Sequence, residues 1–183
     1  MKFICALLFA SVCFCSPLLA STSIFVKIDG VSGESTVPNH LNEIQALSFS
    51  INAQQSGLTG FVGALGSPSK SQFTPLIVFK EIDKTSPVLL VDCALGKLIS
   101  SVTLTVSDNA VAGEAPVDYF KIVLTNVVIS AVNETQANGG EIPLESVSFS
   151  YQKIQWIYTP PQGAGSPVSG AFDVIKNKLL LTQ

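Results

Sequence analysis

Arginine is absent from this chain of 183 residues, and all ten of its basic residues are lysines. Arginine's planar fork is the usual means of gripping phosphates and base edges. Its absence, with thirteen acids and a formal net charge of −3, removes the basic face that nucleic-acid binding needs. Cysteine is nearly absent from the body of the chain. Cys5, Cys13 and Cys15 fall within the first twenty residues and Cys93 stands alone, so no internal disulfide framework is available. A single histidine, His40, excludes a multi-histidine metal centre. Charge of either sign is scarce at 13% of residues, which leaves a surface of Ser, Thr, Asn and Gln.

Long hydrophobic runs are confined to the N-terminus. Residues 1–20, MKFICALLFASVCFCSPLLA, carry one lysine, an apolar core from Phe3 to Phe14, and Leu18-Leu19-Ala20 as a cleavage site. These are the features of a secretory signal peptide, and the core is too short for a comfortable membrane span. Val12 and Phe14 precede Cys13 and Cys15 where a lipobox requires a small side chain, so lipidation is discounted. Cleavage after Ala20 leaves residues 21–183, a length suited to one domain. Nine lysines against thirteen acids then remain, a net of −4. Cys93 becomes a small buried hydrophobe. The expected location is periplasmic or extracellular, with no stable membrane insertion once the leader is gone, and cytoplasmic if the leader is not used.

One segment stands apart from an otherwise strand-like chain. In FKEIDKTSPVLLVDCALGK, residues 79–97, Thr85 or Ser86 can cap a helix, Pro87 suits its first position, and Gly96 can take the left-handed conformation after its last turn. The expected helix covers about residues 86–95. Val88, Leu89, Leu90, Val91 and Leu95 leave few polar positions, which predicts a helix packed against a sheet.

Elsewhere the period is two. SIFVKIDGV at 23–31 reads as a strand entering a turn, and EIQALSFSIN at 43–52 alternates with a change of parity near Leu47 that predicts a bulge. Val102, Leu104 and Val106 share one face. Val117–Val132 and Val147–Tyr158 read as a long hairpin turning at Asn138-Gly139-Gly140, and a second parity change predicts a bulge at Gln152-Lys153. A last strand is expected around Phe172–Ile175. The Gly/Ser-rich stretch 56–71 and the segment Pro160–Gly170 read as loops. The fold class is mainly β: a single small β-barrel of two antiparallel sheets with one short lateral helix.

Three motifs together resemble the Hcp family, the haemolysin-coregulated tube proteins of type VI secretion systems: IFVKIDGVSGEST at 24–36, FKEIDKTSPVLLVDCALGK at 79–97 and VSFSYQKIQWIYTP at 147–160. The resemblance implies a two-sheet barrel with one lateral helix, assembled into six-membered rings. Stacked rings form a tube that a contractile sheath expels, with effectors in the lumen and a spike protein at the tip. It implies no catalytic set, no cofactor and no metal. Lys27, Asp29, Glu34, Asp83 and Lys84 lie in the matching motifs and read as scaffold and turn residues. The loop Val31–Asn42 is implied as the assembly element. A leader is a departure from that family, whose tube subunits are expected to assemble in the cytoplasm. The alternative is therefore an exported monomeric β-barrel that binds a ligand or protein on the same scaffold.

Enzyme-like patterns are present but incomplete. Ser67-Pro68-Ser69-Lys70 and Ser107-Asp108-Asn109 match two motifs of penicillin-interacting serine enzymes, and the third, Lys-Thr-Gly, is missing after them. His40 has Glu34 and Glu43 nearby in sequence and reads as a solvated loop residue. Asn133-Glu134-Thr135 matches a glycosylation acceptor and reads as hairpin surface. Trp156, Tyr151 and Tyr158 read as core aromatics.

Overall fold

The computed structural model describes residues 22–55, 71–109, 116–136, 142–160 and 165–180. Residues 1–20, the Ser67–Lys70 pattern and the Asn138-Gly139-Gly140 turn lie outside the described residues. Eleven strands and one helix are described: β1 Thr22–Ile28, β2 Ile44–Ala46, β3 Ser48–Ser50, β4 Ala53–Gln55, β5 Ser71–Phe73, β6 Leu76–Glu81, α1 Ser86–Leu95, β7 Ile99–Asp108, β8 Val117–Thr135, β9 Leu144–Tyr158, β10 Val168–Asp173 and β11 Lys178–Leu180. The fold is mainly β, in two sheets of very unequal size: nine strands form one and β4–β5 the other.

All pairings are antiparallel, and the large sheet curls back on itself. β1 pairs with β7, β7 with β8, and β8 with β9. β9 then divides its length, pairing Leu144–Phe149 with β6 and Lys153–Tyr158 with β10. β6 pairs with β3 and β1 with β2. Only Leu47 separates β2 from β3, and its N–H bonds to the Phe79 carbonyl at 2.8 Å. The parity change near Leu47 is therefore a change of partner rather than a bulge. The chain leaves β1 and joins β6 there.

A second line of parity change crosses three strands. Ile99 and Val102, Leu124 and Val127, and Phe149 and Ile154 all face the core, so each strand flips its inward face between them. β8 and β9 keep register across this line, with Thr125 opposite Lys153 and Val127 opposite Tyr151. The bulge expected at Gln152-Lys153 is absent. The flip is made at Asn126, which sits at φ 54° and donates to the Gln152 side chain at 2.7 Å. A short polar side chain tolerates that left-handed conformation. The register shifts that do occur lie in β8, near Tyr119 and Ser130.

Inside the circuit, Val26, Leu76, Leu104, Ile122, Leu124, Phe149 and Ile154 are essentially inaccessible. Each such side chain contributes about 1.5–3 kcal/mol of burial. Trp156 and Phe172 pack beside this core against Phe73 of β5, with ring centroids 6.1 and 5.2 Å away. Tyr151 donates to the Thr74 carbonyl, and burial pushes its phenol up to about 12. Tyr158 is exposed.

α1 has the expected ends and a different face. Gly96 adopts the left-handed conformation and its N–H returns to the Cys93 carbonyl. Thr85 is the N-cap but makes no side-chain cap bond. Its hydroxyl donates to Asp83 instead, and the Ser86 hydroxyl donates to Glu145. The helix lies against β8 and buries Ser86, Leu89 and Asp92. Val88, Leu90, Val91 and Leu95 point outward, with Leu95 73% exposed. The helix is packed against the sheet as expected, with Leu89 as the apolar residue that it buries there. Cys93 is free and half-buried. Among the described residues no helix is long and apolar enough to cross a membrane. The last strand begins earlier than predicted, at Val168, and β11 follows it unforeseen.

Candidate assembly site

The segment from Val31 to Glu43 folds back on itself outside β1. Gly33 donates to the Asn42 carbonyl at 2.7 Å, Asn42 donates to Ser35 at 2.8 Å, and Ser35 donates to Glu43 at 3.0 Å. Gly33 is obligatory, since a Cβ there would sit 2.3 Å from the Glu43 carbonyl oxygen. Asn39 and Asn42 both take positive φ, turning the chain on each side of His40. These turns aim His40 inward, and its exposure is 3%. The solvated-loop reading of His40 is thereby corrected.

His40 enters a polar cluster supplied by four segments. Its ring stacks on Phe25 of β1 with centroids 4.0 Å apart and planes 3° from parallel. Nδ1 lies 2.9 Å from Glu43 Oε2, and Nε2 lies 2.9 Å from Asp118 Oδ1 of β8. Ser107 of β7 donates to Asp118 Oδ1 at 2.7 Å, and Lys121 reaches Asp118 Oδ2 at 2.9 Å. Burial works to raise the Asp118 carboxyl. Hydrogen bonds from Ser107, Lys121 and His40, with the Lys121 charge, outweigh it and hold the group below the usual carboxylate range.

Glu43, His40 and Ser107 have the order of a carboxylate–histidine–serine triad, with Ser107 Oγ 3.2 Å from Nε2. The chemistry does not follow. Ser107 has no accessible surface, so it has no path to substrate, and its proton is directed to Asp118 and not to the histidine that a triad requires. Asn109 is occupied with Ser23, at 2.6 Å. Among the described residues no group of three or more metal-ligating side chains is arranged to hold an ion.

A second buried cluster ties α1 to the barrel. Lys80 of β6, 1% exposed, places Nζ 2.6 Å from Glu145 Oε1, 2.9 Å from Asp83 Oδ1 and 2.8 Å from the Glu81 carbonyl. Lys80 and Glu145 are cross-strand partners. Burial acts to raise the Asp83 carboxyl, but hydrogen bonds from Thr85 and Lys80 and the Lys80 charge hold it below its ordinary range. Glu145 Oε2 has no hydrogen-bond partner among the described residues.

Between the two clusters lies a cleft of about 470 Å³, bounded by β1, the Glu34–Ser35 stretch, Leu47 and the Glu81–Asp83 turn. Of the motif residues, Glu34 and Asp83 line it. Glu34 Oε1 accepts the Lys84 N–H at 3.1 Å, and Asp29 accepts the Ser100 hydroxyl at the far end of β1. Lys27 is exposed and Glu134 lies on the exposed tip of β8. Asp118, Lys80 and Glu145 were not singled out by sequence reasoning. Lys80 and Glu145 carried a signal, since they hold the inward parity of Leu76/Val78 and Val147/Phe149.

The family described as type VI secretion system effector, Hcp, matches residues 25–158. Protein hcp1 of Pseudomonas aeruginosa is 34% identical over 151 residues, covering 82% of this chain and 91% of that protein. The crystal structure of Hcp1 from Salmonella typhimurium superposes with a TM-score of 0.73 at 30% identity, over 88% of this chain and all of that one. A type VI secretion system effector from Yersinia pestis gives 0.65 at 30% identity, over 82% and 99%. The matched span takes in the folded-back loop, both polar clusters, α1 and the strand circuit: the chain belongs to the Hcp family of type VI secretion proteins.

Proposed function

We propose that this chain is a tube subunit that assembles with copies of itself into hexameric rings, which stack and carry effectors within a sheath and beneath a spike protein. The observation that supports this most is that the family match spans the whole strand circuit and not an isolated motif. The outward apolar face of α1 supports it too, since a monomer rarely leaves a contiguous patch of that kind uncovered. The Val31–Asn42 loop is the contact element between neighbours. A structural rather than catalytic role is supported by the sealing of Ser107 from solvent in the triad-like cluster found among the described residues. Light scattering coupled to size exclusion, followed by electron microscopy, tests the reading, and six-fold rings are expected. A chain that stays monomeric at high concentration overturns it.

A second reading is favoured by residues 1–20 and by the open cleft. In it residues 1–20 are a cleaved signal peptide, residues 21–183 are one exported domain, and the barrel works as a monomer that binds a ligand or protein outside the cytoplasm. The N-terminal sequence of the protein recovered from periplasm and medium separates the readings. A chain beginning at Ser21 supports export, and an intact Met1 in assembled rings supports cytoplasmic assembly.

A further inference from the structure

We propose that His40 is a charge-operated clasp that holds the 31–43 loop against β1, β7 and β8 while its ring carries two protons, and releases the loop when one is lost. Both ring nitrogens lie 2.9 Å from carboxylate oxygens, Glu43 Oε2 on one side and Asp118 Oδ1 on the other. An ionised carboxylate has no proton to give, so each contact is a hydrogen bond only if the nitrogen donates. A ring with two protons satisfies both contacts. A ring with one proton leaves a lone pair facing a carboxylate in a site that is almost closed to water.

Charge balance points the same way. The groups that face the ring are Glu43 on the loop, Asp118 and Lys121 on β8, and the neutral Ser107 on β7 and Phe25 on β1. With the ring charged, two positive groups meet two carboxylates. Without that proton an excess negative charge remains on two part-buried carboxylates that face the ring, which is unfavourable. The acid side is protected, because Asp118 stays ionised below the usual carboxylate range. Sign follows from this: the clasp is closed while the ring carries both protons and its carboxylate partners are ionised, and it opens as pH rises. Histidine is the side chain whose charge changes in that direction near neutrality.

The consequence for assembly rests on the reading of this loop as the contact between neighbours, and the experiment separates the two. Hydrogen exchange of the full chain, corrected for the base dependence of exchange itself, is followed from about pH 6 to about pH 9. Protection of residues 31–43 is expected to fall by on the order of tenfold per pH unit once the ring loses its proton. Residues 102–106 and 122–124 in the core stay flat. In His40→Phe, which keeps the stack on Phe25 and has no proton to lose, the loop exchanges fast and without a pH slope. Wild-type protection that does not change with pH overturns the clasp, and so does a His40→Phe slope equal to the wild-type one. If His40→Phe does not fold, Glu43→Gln takes its place, and an unchanged pH slope in that variant overturns the proposal. Light scattering on the same wild-type samples reads ring size: rings that persist while the loop opens leave the clasp standing and overturn the loop's role in assembly.

Discussion

The His40 and Lys80 clusters are built from the same parts and hold different things. Each buries one basic side chain between two carboxylates with a serine hydroxyl completing the shell. The His40 cluster pins a loop to the outside of β7 and β8, and the half-exposed Lys121 brings a second cation to it. The Lys80 cluster joins two paired strands to the start of α1 and has one cation for two acids, with Glu145 Oε2 left without a partner among the described residues. A cluster that anchors a core helix tolerates imbalance because the strands around it cannot move apart. A cluster that anchors a loop needs balance, because the loop can leave.

The largest effect expected is at Lys80. Lys80→Ala leaves the buried Glu145 and the part-buried Asp83 without their cation and should cost about 3–5 kcal/mol in denaturant unfolding. Replacing both strand partners, as Lys80→Met with Glu145→Met, should recover most of that loss. A double variant as unstable as the single one would mean that the ion pair contributes more than an apolar pair of similar volume.

Gly33→Ala comes next and acts on the other cluster. Its Cβ would meet the Glu43 backbone, which a side-chain rotation cannot relieve. The expected loss is about 1–3 kcal/mol, seen first as loosened exchange of residues 31–43 with the core unchanged. If the core loosens equally, the loop is part of the barrel's cooperative unit and the contrast between the clusters fails.

The acid limb sharpens the contrast further. Asp83 and Asp118 both have folded-state values below the unfolded value of 3.8, so each contributes stability that is present above that value and lost as pH falls through the lower one. Wild-type acid unfolding should therefore begin below pH 3.8. Asp118→Asn should remove the acid dependence of loop protection alone, whereas Asp83→Asn should shift the global acid midpoint toward neutrality. Identical profiles for the two variants would sink the distinction.

How much of this was legible beforehand follows the range of the interactions. The bounds of α1 came from Pro87 and Gly96, neighbours within one turn of its ends, and they were right. Alternation placed the inward faces of the long strands, because each residue reports its own side. Lys80 and Glu145 could have been read the same way, as charges at inward parity. His40 could not. Its partners Ser107 and Asp118 lie 67 and 78 residues away, and VPNHLNE has no period that distinguishes a buried histidine from a wet one. That α1 packs against the sheet was legible, but which of its apolar residues face outward was not, because apolar content reports that a surface is covered, not by what.

That outward face yields the smallest effect in an isolated subunit. Leu95 is 73% exposed, so Leu95→Ser should change the stability of a monomer by less than about 0.5 kcal/mol, whereas Leu89→Ala should cost about 2–5 kcal/mol. The comparison is then carried to the assembled state by dilution series in light scattering. If rings of the Leu95→Ser variant dissociate at higher concentration than wild type, the apolar face is covered by a neighbouring copy. Unchanged dissociation would assign that face to a partner outside the ring, while a monomer destabilised as much as Leu89→Ala would show that α1 depends on its outer residues and not only on the Lys80 cluster beneath it.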